Sequence, residues 1–264
     1  MIPTPKPDKD FPWWLLIAAG IGGFFLYRVV ADALYMQVLA TLSRGAAITV
    51  FVTLVGFAMA CVIGLALAMA TLSRYLLLRQ VARFYIEIIR GVPILVLLLY
   101  VAFVVAPGVV AGWNWLAGGV GFDPIRTRDF PLIWRAILAL TIGYSAFLAE
   151  VFRAGLQAVD MGQIEAAEAL GLSGWQRFRH IVFPQAFRMI LPPLGNDFVA
   201  MVKDSSLVSV LGVADITQLG KVTAASNFRY FETYNVVALI YLMMTVSLSL
   251  LLRRLEARLR NRPG

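Results

Sequence analysis

The sequence predicts an all-α, polytopic membrane protein. Three observations carry that expectation. Hydrophobic residues make up 60% of the 264 positions and charged residues only 14%, against about a quarter charged in soluble domains. Mean hydropathy is +0.80. The stretches 11–27, 45–73, 91–122 and 233–252 contain no Asp, Glu, Lys or Arg, and about 20 apolar residues carry a helix across the hydrocarbon. So little polar surface excludes a water-soluble globule, a disordered chain and a collagen-like one. One cysteine, Cys61, excludes an internal disulfide framework.

Six transmembrane helices are expected. The first, about 12–30, follows a flank with Asp8 and Asp10 beside Lys6 and Lys9. Mixed charge and a long Trp-bearing core argue for an uncleaved helix over a signal peptide. The second, 46–72, contains Gly56 and Gly64, and the third, 84–106, contains Pro93. Both residue types are tolerated in membrane helices. Residues 107–131, rich in Gly and Pro, read as an external loop. The fourth helix, 132–158, is interrupted by Arg135, Glu150 and Arg153. The fifth, 189–212, is interrupted by Asp197, Lys203 and Asp204, and the sixth is 233–252. Trp13, Trp14, Trp113, Trp115 and Trp134 stand near expected helix ends, where indoles prefer the interface.

Orientation follows from basic residues, which concentrate in cytoplasmic segments. With both termini cytoplasmic, the inside segments hold fourteen Lys and Arg and the outside segments six. The net charge of +8 therefore reads as topology and not as a nucleic-acid surface, which needs a basic face in water. The same orientation places residues 159–188 in the cytoplasm. There Asp160 with Gln163 reads as a helix N-cap pair, and Gly171 as a left-handed helix end. Ser173 with Gln176 forms a capping box that restarts helix, and Pro184 closes the unit. Two short helices with a glycine break have two readings: an interfacial helix on the lipid, or a helix for a partner's groove.

The run Glu165, Ala166, Ala167 with Gly171, Ile181 and Pro184 resembles the EAA loop of ABC importer permeases. Leu191-Pro-Pro-Leu-Gly-Asn-Asp-Phe198 and Lys203-Asp-Ser-Ser-Leu-Val-Ser-Val-Leu-Gly212 resemble the polar amino acid permease family of histidine, glutamine and glutamate type. So do Phe84-Tyr-Ile-Glu-Ile-Ile-Arg-Gly-Val-Pro93 and Ser145-Ala-Phe-Leu-Ala-Glu-Val-Phe-Arg-Ala-Gly155. The likeness spans roughly residues 45–258. It implies a tail and additional helix at 1–44, a permease domain at 45–258 with its coupling loop at about 159–184, and a cytoplasmic tail at 259–264.

That resemblance implies a permease subunit of an importer in the bacterial cytoplasmic (inner) membrane, taking up polar amino acids. It implies as partners two copies of an ATP-binding subunit, a second permease subunit in a homodimer or heterodimer, an extracytoplasmic amino acid-binding protein, and the lipid bilayer. Glu165, Ala166, Ala167, Ala169, Leu170 and Gly171 are the implied coupling residues. No cofactor is expected in this chain; ATP and Mg belong to the ATPase, since no Gly-x-x-x-x-Gly-Lys-Ser/Thr loop is present. An ATP-independent channel or secondary carrier for small polar solutes is the alternative class, but it has no use for a docking helix. An intramembrane enzyme lacks a nucleophile–base pair, and His180 has no companions to hold a metal.

Ionisable groups inside a membrane usually face the bundle interior. For Glu87 with Arg90, and for Arg153 and Asp197, a structural salt bridge or a position near the interface is expected. Glu150 has two open readings, scaffold or receptor for a ligand ammonium, in the small-residue setting of Ser145, Ala146 and Ala149. Pro93 leaves a helix carbonyl unpaired and Gly91 allows close backbone approach. Gly91, Val92, Pro93, Ser145 and Glu150 are thus the candidate substrate residues, with Lys203 and Asp204 in a structural or gating role. Gly143, Phe147 and Val92 stand where the family often has Asn, Tyr and Thr, so three polar groups are missing from implied pathway positions.

Overall fold

The computed structural model of the chain describes residues 13–118 and 123–260. The expected N-terminal flank with its four charges, the loop positions 119–122 and the tail end at 261–264 lie outside the described residues. The elements are helical throughout the described residues, in agreement with the expected class.

Helix α1 (Trp13–Ala31) is followed at once by α2 (Ala33–Thr71), a single helix of 39 residues. Asp32 separates them: its backbone is extended and its carboxylate accepts from the Leu34 N–H at 3.0 Å, which caps α2. The second span therefore begins well ahead of residue 46.

The expected third span needs a larger correction. Helix α3 (Leu76–Gly91) stops before Val92, which is extended (φ −99°, ψ 130°), as the residue before a proline prefers. A new helix, α4 (Ile94–Tyr100), runs through a π turn at Val101–Val105 into α5 (Ala106–Gly118). The spanning stretch is thus Ile94–Gly118, and much of the expected external loop is helix. Glycine and proline signal loops in water, but an apolar setting overrides them. The π turn accommodates Pro107. The Ala106 N–H donates to the Val101 carbonyl five residues back, and Pro107 has no N–H for the next carbonyl, that of Ala102. Arg135 fills the gap: its Nη1 donates to the Ala102 carbonyl at 3.3 Å. The same buried guanidinium donates to the carbonyls of Phe130, at 3.0 Å, and Thr127.

Helix α6 (Leu132–Gln157) is the centre of the bundle, with α2 along it. Gly56, Ala60, Gly64 and Ala68 recur every fourth residue on the buried face of α2. A Cβ at Gly64 would lie 3.0 Å from both the Leu148 Cβ and the Ser145 carbonyl oxygen, so only glycine admits this approach. The Thr141 hydroxyl donates to the Gly56 carbonyl at 3.3 Å. Around this seam lies the main core, including Val52, Leu98, Ile137, Leu140, Leu148 and Met201.

Helix α7 (Met161–Ala169) and the short α8 (Gly174–Arg177) precede a second π turn, Phe178–Val182, and then α9 (Phe183–Asp204). Pro184 does not close the preceding unit. It sits in the first turn of α9, where a missing N–H costs nothing. The fifth expected span starts earlier than 189 and tightens into a 3₁₀ turn at Ser205–Leu211, ending at Gly212 with φ +83°. Helix α10 (Ile216–Asn227), absent from the sequence expectation, is capped by buried Asp215. The Asp215 carboxylate accepts from the Gln218 N–H at 2.8 Å and the Tyr241 hydroxyl at 3.1 Å. Its backbone crosses α2 at Gly45, where a Cβ would lie 2.7 Å from the Asp215 carbonyl carbon. Helix α11 (Tyr230–Arg260) outruns the expected 233–252.

Four described helical stretches are long and apolar enough to cross a membrane: Ala33–Thr71, Ile94–Gly118, Leu132–Gln157 and Tyr230–Arg258. Helix α9 is not among them, since Arg188, Asp197, Lys203 and Asp204 punctuate it.

Candidate functional site

The break between α3 and α4 forms one wall of a cavity of about 520 Å³, within the size range of small-molecule sites. Its lining is Arg90 to Ile94 from the break, Tyr144 and Phe147 from α6, and Asp197, Ala200 and Asp204 from α9. Each helical contribution follows helical spacing: i, i+3 on α6 and i, i+3, i+7 on α9. The cavity thus combines one guanidinium, two carboxylates, two aromatic rings and a stretch of non-helical backbone. The Arg90 guanidinium lies 5.8 Å from the Phe147 ring centroid. The Tyr144 hydroxyl donates to the Asp204 carboxylate at 2.7 Å. Neither Arg90 nor Asp197 makes an ion pair or hydrogen bond among the described residues, so the expected Glu87–Arg90 bridge does not form. Both charges remain available to a ligand. A guanidinium takes a carboxylate in bidentate fashion, and a carboxylate takes an ammonium.

Of the candidate substrate residues, Gly91, Val92 and Pro93 line this cavity; Ser145 and Glu150 do not. Ser145 is fully buried. Its Oγ lies 2.8 Å from the Tyr85 hydroxyl, and both hydroxyls reach the Ile142 carbonyl, at 2.8 and 3.1 Å. It ties α3 to α6. Glu150 is ion-paired with Arg153 one turn on. Asp204 lines the cavity, whereas Lys203 is exposed and outside it. Sequence reasoning passes over Tyr144 and reads Arg90 and Asp197 as structural. The missing signal was the face: Tyr144 and Phe147 share one, and Ser145 belongs to the face against Gly64. Of the family departures, Gly143 lies under α4: a Cβ there would lie 2.6 Å from the Ile94 Cδ1, the movable end of that side chain.

The cap pattern around α7 is well formed. Asp160 accepts from the Gly162 N–H at 2.7 Å. Gln163 does not reach back to it; its side-chain oxygen accepts from Gln185 Nε2 on α9 at 2.6 Å. At the other end, the Leu172 N–H donates to the Ala167 carbonyl at 3.1 Å and the Gly171 N–H to the Glu168 carbonyl at 2.9 Å. With Gly171 at φ +75°, this is a Schellman closure. Ser173 and Gln176 make the reciprocal capping box. Glu168 pairs with Arg177 at 2.6 Å, holding α7 against α8. Ala167 is buried, while Glu165, Ala166, Ala169 and Leu170 are exposed. A short helix with an exposed acidic and apolar face, pinned at both ends, is suited to fit a cleft. His180 Nδ1 lies 3.0 Å from the Gln176 carbonyl.

Comparison with known proteins bears on the chain as a whole. A family model described as binding-protein-dependent transport system inner membrane component matches residues 60–261. The glutamine transport system permease protein GlnP of Escherichia coli (strain K12) is 36% identical over 219 residues, 83% of this chain and 93% of that protein. The probable amino-acid permease protein YxeN of Bacillus subtilis (strain 168) is 36% identical over 211 residues, 80% and 88% of the two chains. Among solved structures, the crystal structure of an amino acid ABC transporter with histidines superposes with a TM-score of 0.71 at 36% identity, covering 84% of this chain and 96% of that one.

Proposed function

This chain belongs to the family of binding-protein-dependent transport system inner membrane components, and on that premise we propose that it forms, with a second permease subunit, a membrane pathway through which polar amino acids are imported. It is a multi-pass membrane subunit whose relatives are amino-acid permeases. Two ATP-binding subunits dock on α7 and supply ATP and Mg chemistry from outside this chain. An extracytoplasmic binding protein delivers the amino acid to the opposite face. Both termini are cytoplasmic.

The observation that carries the site is the unpaired Arg90 and Asp197 in one cavity. An amino acid presents a carboxylate and an ammonium together. Arg90 receives the carboxylate, and Asp197 with Asp204 receives the ammonium or a cationic side chain. The bared backbone of Gly91, Val92 and Pro93 completes the wall. Ser145 and Glu150 act as supports, through Tyr85 and Arg153. Helix α9 connects the two ends of the mechanism: its start adjoins α7 through Gln185 and its end carries Asp197 and Asp204. When ATP draws the ATPase pair together, α7 is displaced and the cavity changes access. ATP must bind the closed arrangement better than the open one for this to occur.

The test is co-purification and uptake. The tagged chain, expressed with its ATPase, retains that ATPase, and Glu165→Lys or Gly171→Pro loses it while still inserting. Arg90→Gln and Asp197→Asn keep the ATPase but raise the KM for amino acid uptake. Normal co-purification and uptake by both α7 variants rejects the docking role, and unchanged uptake by both cavity variants rejects the site.

A further inference from the structure

A second cavity, of about 510 Å³, lies between α9 and α11. Arg188, Met189, Leu191 and Pro192 form one wall; Arg253, Glu256 and Ala257 form the other. Arg188, Leu191 and Pro192 on α9, and Arg253, Glu256 and Ala257 on α11, fall at i, i+3 and i+4, with Met189 at the margin of the α9 face. The helices touch at Gly195 and Leu252, where a Cβ on the glycine would lie 3.2 Å from Leu252 Cδ1. The cleft opens beyond that contact. Arg253 ends the charge-free run 233–252, which sets it at the edge of the hydrocarbon. Arg188, Arg253 and Glu256 make no ion pair or hydrogen bond among the described residues. The cleft thus offers two exposed guanidiniums and one half-buried carboxylate, none with a protein partner among the described residues, beside an apolar wall at the depth where headgroups lie.

We propose that this cleft binds the headgroup of an anionic phospholipid, with Arg188 and Arg253 on the phosphate and Glu256 accepting from headgroup hydroxyls. Paired guanidiniums match phosphate oxygens geometrically, and basic pockets between membrane helices are suited to such headgroups. Two positive groups and one negative leave the cleft complementary to the single negative charge of a phosphodiester. A glycerol headgroup supplies the hydroxyl donors that Glu256 lacks. Met189, Leu191 and Pro192 lie against the upper acyl chain. Since α9 also carries the cavity carboxylates, an occupied cleft braces that helix against α11.

The test is native mass spectrometry of the purified full chain, titrated with phosphatidylglycerol or phosphatidylcholine in detergent. Phosphatidylglycerol is retained preferentially, and R188Q/R253Q lowers its retention by roughly tenfold, given the strength of Arg–headgroup attraction. The charge-matched pair R254Q/R258Q, outside the cleft, leaves retention unchanged. If the first pair yields no folded protein, R188K/R253K, which keeps charge but loses the fork, shows a several-fold loss. Equal loss in the R254Q/R258Q pair means diffuse attraction to a basic surface and overturns the site. Equal retention of the two lipids overturns the headgroup assignment. Release of phosphatidylglycerol by millimolar inorganic phosphate makes a soluble phosphate the occupant and overturns the lipid one.

Discussion

The Tyr144 hydroxyl donates to the Asp204 carboxylate at 2.7 Å, joining the middle of α6 to the last residue of α9. A hydrogen bond to a charged group contributes about 1.5–3 kcal/mol. Tyr144→Phe is expected to lower uptake by about tenfold, the lower end of that range, while the protein still assembles. Asp204→Asn should do at least as much. Because the two groups act as a pair, Y144F/D204N should fall short of the sum of the single effects. Additive losses in a double-mutant cycle of uptake would show that the pair does not act as a unit.

Arg135 offers a separate test of stability. Its buried guanidinium satisfies the carbonyls of Ala102, Phe130 and Thr127. Each buried polar group left unsatisfied costs about 1–3 kcal/mol. Arg135→Met is therefore expected to lower the Tm in detergent markedly. Arg135→Lys, whose single ammonium cannot serve three diverging carbonyls, should fall between. An unchanged Tm for Arg135→Met would mean that water replaces the side chain at the π turn.

Two glycines should separate fold from transport. At Gly64 the added carbon meets Leu148 and the Ser145 backbone at 3.0 Å, and overpacking of this kind costs about 1–3 kcal/mol. Gly64→Val is expected to reduce the yield of folded protein. At Gly91 an added carbon meets nothing within 4 Å, yet the residue lines the cavity. Gly91→Ala should leave the Tm unchanged and raise the KM for uptake. The opposite pattern in thermal melts would reverse the assignment of the two positions.

Gly171 sits at φ +75°, a conformation that costs a residue with a Cβ about 1–2 kcal/mol. Gly171→Ala should fray the end of α7 and weaken ATPase co-purification without lowering the Tm of the bundle. Glu168→Gln removes an ion pair whose carboxylate is exposed but keeps a neutral acceptor for Arg177, and should weaken co-purification less than Gly171→Ala.

Local chemistry was legible in the sequence wherever a few neighbouring residues decide the backbone. Asp160, Gly171 and the Ser173–Gln176 box end and restart the helices where their side chains and φ preferences require. Features that depend on the solvent were not. Pro107 and its neighbouring glycines mark a loop in water, and in a charge-free run they are absorbed by a π turn and a borrowed arginine. Features that depend on convergence were least visible. Arg90, Tyr144 and Asp197 come from three helices, and nothing along the chain shows that they share a cavity. Ser145 was assigned with the ligand because it lies beside the right residues, one position off the right face.

The two tight crossings on α2 have a mechanical consequence. Gly45 is pressed against the Asp215 backbone and Gly64 against Ser145 and Leu148. Nineteen residues separate them, about 28 Å of helix, close to the thickness of the hydrocarbon. A rod clamped near both leaflets has no free fulcrum. Helix α2 and its partner α6 are therefore expected to stay fixed against each other, and a change of access at the cavity is expected at the jointed parts, the break at Val92 and helix α9.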